Sequence, residues 1–153
     1  MVDDMRIFID TNILLRYIVA EIPQHPVIRR AVDSLLDRKD ELWISGQVIR
    51  EFSSVVTRPQ AFMTTLTAAD AAKELRKFQS YFNVAHEAET TVELFLGLMD
   101  TYPMGGKQIH DANIVATIQA QGILRLCTFN TVDFMRYSHL IEIISPHDVL
   151  HPK

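Results

Sequence analysis

The stretch Arg6-Ile7-Phe8-Ile9-Asp10-Thr11-Asn12-Ile13-Leu14-Leu15 constrains this chain most. A short apolar strand runs into a single acid, and a mostly apolar helix starts at once behind it. A helix that is apolar on nearly every side is a buried one. Asp10 therefore stands at the carboxyl end of a buried strand, the place where open α/β sheets gather their ligands. It also stands beside a helix N-terminus, whose free N–H groups favour a negative charge. Read by itself, Asp10 serves equally well as a plain helix N-cap, so its meaning depends on which other acids the fold brings to it.

Strands and helices alternate along the rest of the chain. Met5 to Ile9 reads as a strand, Thr11 to Val19 as a buried helix, and Pro23 and Pro26 bracket a turn before an amphipathic helix over Val27–Asp37. Leu42-Trp43-Ile44 is a short strand, followed by a helix from Gln47 to Thr57 that Pro59 stops. Thr67 and Asp70 open a helix in the manner of a capping box; it is expected to run to Tyr81 and to bury Ala68, Ala71, Ala72, Leu75, Phe78 and Phe82. A further helix over Ala88–Tyr102 has Val92, Phe95, Leu96 and Met99 as its apolar stripe, and Pro103 to Lys107 form a flexible loop. Ile109 to Gln121 is a helix ended by Gly122. Leu124–Phe129 and Leu140–Ile144 are strands on either side of a short turn or helix over Thr131–Tyr137. The pattern implies an α/β fold whose mainly parallel sheet is covered on both faces. A single domain is expected over 1–147, with 148–153 a loose tail.

Composition excludes several classes. A hydrophobic fraction of 48% and a charged fraction of 22% are those of a water-soluble globular domain. No apolar run approaches the roughly 20 residues of a membrane span, and the acidic start Met1-Val2-Asp3-Asp4 is no secretory leader. The single cysteine, Cys127, lies in an apolar stretch and reads as a buried structural thiol. A cytoplasmic location is expected. A net charge of -4 argues against a protein that coats nucleic acid with a broad basic surface, but not against one that grips phosphates through metal ions. Basic residues gather at Arg29, Arg30, Arg38 and Lys39 and again at Lys73, Arg76 and Lys77, as solvated helix faces do. The six histidines lack metal-ligand spacing, and Gly105-Gly106-Lys107 lacks the rest of a phosphate-binding loop.

The informative residues are carboxylates where apolar residues belong. Asp111 precedes Ile114, Val115 and Ile118 by three, four and seven positions, the spacing of one helical face. An unpaired ionised acid on that stripe costs several kcal/mol of desolvation; a position in the helix's first turn offsets roughly 0.3–1 kcal/mol of it. Glu51 falls at the edge of the stripe Val48, Ile49, Phe52, Val55 and Val56, where a glutamate either turns outward, pairs with an arginine, or faces a site. Asn130 and Asp133 follow another strand, as turn formers or as site residues. Acids converging without basic partners repel one another unless cations lie between them, and hard oxygen ligands suit Mg²⁺ or Mn²⁺. Such ions can activate a water and steady the leaving oxygen in phosphodiester cleavage.

The ordered set Ile7-Phe8-Ile9-Asp10-Thr11-Asn12, Val48-Ile49-Arg50-Glu51-Phe52, Ile109-His110-Asp111-Ala112-Asn113-Ile114-Val115-Ala116 and Thr128-Phe129-Asn130 with Asp133-Phe134 resembles the PIN domain, and within it the VapC-type toxins. The resemblance implies a three-layer α/β/α sandwich and a metal-dependent endoribonuclease. Asp10, Glu51 and Asp111 would be its acidic cluster around Mg²⁺ or Mn²⁺, with Asp10 and Asp111 the direct ligands. Asn12 would support the first acid or the substrate. Many PIN domains carry an acid where this chain has Asn130; toxin-like members often have Asn there with an acid three residues later, as Asp133 is. Asp133 then either helps hold a metal through water or only caps the turn. The resemblance also implies an RNA substrate, a homodimer, and a protein antitoxin bearing its own DNA-binding domain. Two other readings stand beside it: a non-catalytic PIN-like binding or assembly module, favoured by Asn130, and a phosphatase with Asp10 as nucleophile, disfavoured by Asn12 where that chemistry usually places a second acid.

Overall fold

The computed structural model describes residues 5–153; the acidic start, read above as no secretory leader, lies outside them. Among the described residues are five strands: β1 (Arg6–Ile9), β2 (Glu41–Ser45), β3 (Phe82–Ala85), β4 (Arg125–Cys127) and β5 (Glu142–Ile144). They pair in parallel throughout, in the order β3-β2-β1-β4-β5. Eight α-helices connect and follow them: α1 (Thr11–Ile18), α2 (His25–Asp37), α3 (Gly46–Val56), α4 (Ala68–Phe78), α5 (Glu89–Thr101), α6 (Lys107–Ala120), α7 (Thr131–Phe134) and α8 (Pro146–Leu150). Ile7, Phe8 and Ile9 are each 0% exposed. Successive strand side chains point to opposite faces, so both faces of β1 are covered, and the molecule is a three-layer α/β/α sandwich. No described helix is long and apolar enough to cross a membrane.

Chain order sets the position of the site. From β1 the chain builds outward through β2 and β3, then crosses back to lay β4 and β5 on the other side of β1. The direction of winding therefore reverses between β1 and β4. A crevice opens outside the carboxyl ends of the strands at such a reversal.

Four local expectations are corrected. The helix expected to reach Tyr81 ends at Phe78; a 3-10 turn follows, and Phe82 begins β3. Leu75, Phe78 and Phe82 have helical spacing, but Phe82–Ala85 instead takes the ladder of β2, in register Leu42↔Phe82 to Ser45↔Ala85. In α5, Thr91, Leu94, Phe95 and Leu98 face inward, whereas Val92, Leu96 and Met99 are 50%, 43% and 37% exposed. The Thr91 hydroxyl accepts the Ala88 N–H at 3.1 Å, which caps the helix start with Thr91 on the buried side. Helix α6 begins at Lys107, behind Gly106 at φ +57°, so part of the expected loop is its first turn. Residues 146–150, which overlap the start of the expected loose tail, form α8: Ser145 and Asp148 cap it reciprocally at 2.9 and 3.1 Å, and Pro146 and Val149 are buried. Arg38, the C-cap of α2, donates to the Val149 carbonyl and ties α8 down.

Candidate functional site

Asp10 follows β1 directly. Its N–H donates to the Cys127 carbonyl at 3.0 Å, one residue beyond the β1–β4 ladder, so it lies in the crevice at the switch point. Its Oδ1 accepts the Thr11 N–H at 2.8 Å, as an N-cap of α1. Its Oδ2 accepts the Thr128 hydroxyl at 2.7 Å and the Asn12 amide at 3.2 Å. Asn12 in turn accepts the Phe129 N–H at 3.1 Å, so one side chain fastens the exits of β1 and β4 together. Asp10 is 5% exposed. Burial lifts its carboxyl pKa from 3.8 to about 6, against the lowering effect of the bonds from Thr128 and Thr11, and the charges of Glu51 and Asp111 push the same way as burial.

Glu51 stands one turn into α3, a helix capped by Ser45, whose hydroxyl accepts the Val48 N–H at 3.3 Å. No arginine pairs with it among the described residues. Its Oε2 accepts the Thr11 hydroxyl and its Oε1 the Gln47 amide, both at 2.7 Å. Gln47 is buried, also donates to the His110 carbonyl at 2.9 Å, and accepts from Asn113 at 2.7 Å. A chain of neutral hydrogen bonds thus ties the acid of α3 to α1 and α6.

Asp111 lies where its spacing placed it, on the stripe of Ile114, Val115 and Ile118, which are 2%, 0% and 0% exposed. Because α6 starts at Lys107, Asp111 is in the second turn rather than the first, where the helix dipole has largely faded. It is half-buried and accepts no hydrogen bond among the described residues. Burial raises its pKa; Lys107 opposes this, and the charges of Asp133 and Glu51 add to it.

Asp10, Glu51 and Asp111 line one cleft of about 770 Å³, together with Thr11, Asn12, Asn130 and Gln47. Asn130 precedes α7, and its N–H donates to the Thr128 hydroxyl at 3.0 Å. Asp133 is not part of the lining; it is exposed, with its Oδ2 4.0 Å from the Lys107 ammonium. Sequence reasoning missed Gln47, Thr128, Arg50 and Arg58. The signal for Gln47 was its spacing from Glu51, four before it on one helical face. The basic groups picked out in the sequence lie elsewhere: Arg29 pairs with Asp33 at 3.5 Å, Lys77 with Glu74 at 2.8 Å, and Arg38 serves α8. Cys127 is buried, its thiol pKa pushed up to about 12 by burial, and it is inert.

Among the described residues, no three His, Cys, Asp or Glu side chains are gathered closely enough to enclose an ion unaided. The donor set suits a metal that does not need such a cage. Mg²⁺ typically uses one or two carboxylates and keeps several waters or takes substrate phosphates. A desolvated Asp10 and an Asp111 without a hydrogen-bond donor are carboxylates of the kind such a cation stabilises.

An all-parallel sheet with an acid-lined cleft at its switch point defines the class of this protein. The chain belongs to the PIN domain family, whose model matches residues 7–140. Solved structures of the same fold include VapBC-1 from nontypeable Haemophilus influenzae, with a TM-score of 0.69 and 15% identity over 93% of this chain and 98% of that one. VapBC2 from Rickettsia felis, bound to a DNA fragment from its promoter, has a TM-score of 0.67 and 19% identity over 92% and 98%. VapC20 from Mycobacterium tuberculosis, described as a sarcin-ricin loop cleaving toxin, has a TM-score of 0.59 and 19% identity over 85% and 94%. At these identities the likeness is one of fold. No curated protein matches the sequence.

Proposed function

We propose that this protein is an Mg²⁺- or Mn²⁺-dependent endoribonuclease, acting as the toxin of a type II toxin–antitoxin pair. The observation that carries the reading is the cleft at the switch point, which collects Asp10, Glu51 and Asp111 without an ion pair to any of them among the described residues. Asp10 and Asp111 hold the metal. Asp10 is fixed by Thr11, Thr128 and Asn12, so its carboxylate is oriented before any ligand arrives. Held by these residues, a divalent ion would supply the chemistry of an activated water and a stabilised leaving oxygen in phosphodiester cleavage. Glu51, clamped by Thr11 and Gln47, uses two of its roughly four acceptor positions and keeps the others to orient and accept a proton from that water. Asp133 acts from the rim through its charge on Asp111, and Asn130 completes the polar wall.

The likeness to VapBC complexes supports a protein antitoxin with its own DNA-binding domain as partner. A homodimer and a cytoplasmic location belong to the same reading. Its test is Mn²⁺-dependent cleavage of RNA by the wild-type chain and by Asp10→Asn and Asp111→Asn, with folding checked by circular dichroism. Both substitutions abolish cleavage. Undiminished cleavage by either folded variant refutes the assignment; a wild-type chain that neither binds Mn²⁺ nor cleaves RNA is a binding module instead.

A further inference from the structure

We infer that the outer face of α3 and the turn that leaves it, carried by Arg50, Ser54 and Arg58, are a track for the phosphate backbone of a single RNA strand flanking the scissile phosphate; the inference rests on the nuclease reading above. Gln47, Glu51 and Ser54 follow one another at spacings of four and three, which keeps them on one side of the helix, with Arg50 beside them and Arg58 just past the helix's carboxyl end. All five line the cleft. The wall therefore grades along the helix from an acid held for chemistry to cations that hold nothing.

The two arginines are unpaired although three carboxylates share their cleft. Arg50 makes no hydrogen bond or ion pair among the described residues. Its guanidinium folds back over Gly46, where a Cβ would stand 3.1 Å from Nη1. Arg58 donates its Nε to the Ser54 carbonyl at 3.1 Å, and its terminal nitrogens have no partner among the described residues. Asp10 and Glu51 are taken up by Thr11, Gln47, Thr128 and Asn12 instead, and Asp111 accepts from neither arginine. On the opposite wall, Lys107 has Asp133 at 4.0 Å, so the cations of the cleft without an acid beside them are Arg50 on α3 and Arg58 just past it. Arg50 is in the second turn of α3 and Arg58 stands just past its carboxyl end, so each is placed to address a different phosphate.

The occupant is a single strand bound through its phosphates. The cleft, at about 770 Å³, admits a short stretch of one strand. Its lining contains no Phe, Tyr or Trp, so stacking on bases contributes little and the contact carries no sequence preference. With a net charge of -4 the chain has no general affinity for polyanions, and two placed arginines are a large part of what it has.

The experiment measures salt dependence. Cleavage-silent Asp10→Asn protein in EDTA is titrated with a fluorescent oligouridylate by anisotropy between 50 and 300 mM KCl. Arg50→Gln, Arg58→Gln and Arg30→Gln are then introduced separately; Arg30 is an exposed residue of α2 outside the cleft lining. Each phosphate contact on a single strand contributes about 0.7 to the slope of log K against log[salt]. Loss of either cleft arginine lowers the slope by about 0.7 and the affinity at 0.1 M salt about five-fold. Arg50→Lys keeps the slope, and Arg30→Gln leaves it unchanged. Binding by the parent with an unaltered slope in both cleft variants overturns the track and leaves the nuclease reading standing. A parent that binds no RNA overturns the track, whereas the nuclease reading stands or falls separately on Mn²⁺-dependent cleavage by the wild type.

Discussion

Removing the negative charge of Asp10 should stabilise the metal-free protein above neutral pH while destroying its metal response. The buried carboxyl has a folded pKa of about 6 against 3.8 in an exposed chain. The folded state therefore holds more protons than the unfolded state between those values. Stability falls as pH rises through that window and stays lower above it. About two pKa steps at 1.36 kcal/mol each make the cost of ionising Asp10 roughly 3 kcal/mol. Asn in its place escapes that cost but loses something. Its oxygen still accepts from Thr11, and the Thr128 hydroxyl can turn to accept from the new amide. The Asn12 amide, held by its bond to Phe129, would then face another N–H donor. Discounting about 1 kcal/mol for that lost bond leaves a net gain near 2 kcal/mol.

For a chain of this length the gain amounts to about 4–8 °C in Tm at pH 8. At pH 4.5 folded Asp10 is mostly protonated while the unfolded side chain is mostly ionised, so about 1 kcal/mol of the cost remains; it offsets the lost bond, and the two proteins should be nearly equal in stability. Thermal unfolding followed by circular dichroism in EDTA at the two pH values gives the comparison. Millimolar Mn²⁺ at pH 8 should then raise the Tm of the wild type and not that of Asp10→Asn. A variant less stable than wild type at both pH values, or a gap that does not change with pH, refutes the reasoning.

Gln47→Met removes the donor to Glu51 and to the His110 carbonyl; it should cost 1–3 kcal/mol in urea unfolding and reduce kcat more than it raises KM. Asp133→Asn removes a charge that raises the Asp111 pKa, so it should move the acidic limb of the pH–rate profile to lower pH and keep activity within about ten-fold; loss of all cleavage would make Asp133 a ligand. Ser145→Ala breaks the capping box of α8 and should lower stability by about 1 kcal/mol in thermal melts, without altering cleavage.

What was legible in the sequence was whatever is encoded within one element. Asp111 announced itself because helical periodicity assigns it to a face before any neighbour is known. Asp10 did so because a strand and a helix meet at it. The alternation of elements was enough for the parallel sheet. The hydrogen bonds that hold the acids were not legible, since Thr128 and Asp10 are separated by 118 residues and Gln47 and the His110 carbonyl by 63. β3 escaped because an edge strand whose inner residues Asn83 and Val84 are both exposed has no alternation to read. The outward Val92, Leu96 and Met99 misled for the opposite reason: α5 has apolar residues on both sides, and the choice fell to the cap at Thr91. The α8 capping box, by contrast, is the same signal that located α4, lying unread in Ser145-Pro146-His147-Asp148.

Energetics rather than position support the proposed metal-site reading of Asp10 over that of a plain cap. It does cap α1, as the plain reading required. Capping does not explain why the residue is an acid, because Asn, Ser or Thr would accept the same N–H bond without a desolvated charge. Nor does the network around it need a carboxylate, since its neighbours are neutral hydroxyls and amides that a neutral residue could largely satisfy. With Glu51 and Asp111 nearby, an ionised Asp10 is a net liability to the fold in the absence of a cation. The switch between β1 and β4 brings Thr128 and Asn12 to hold that liability in one orientation, and a preformed, oriented, underneutralised carboxylate is what a divalent ion with water and phosphate in its remaining positions requires.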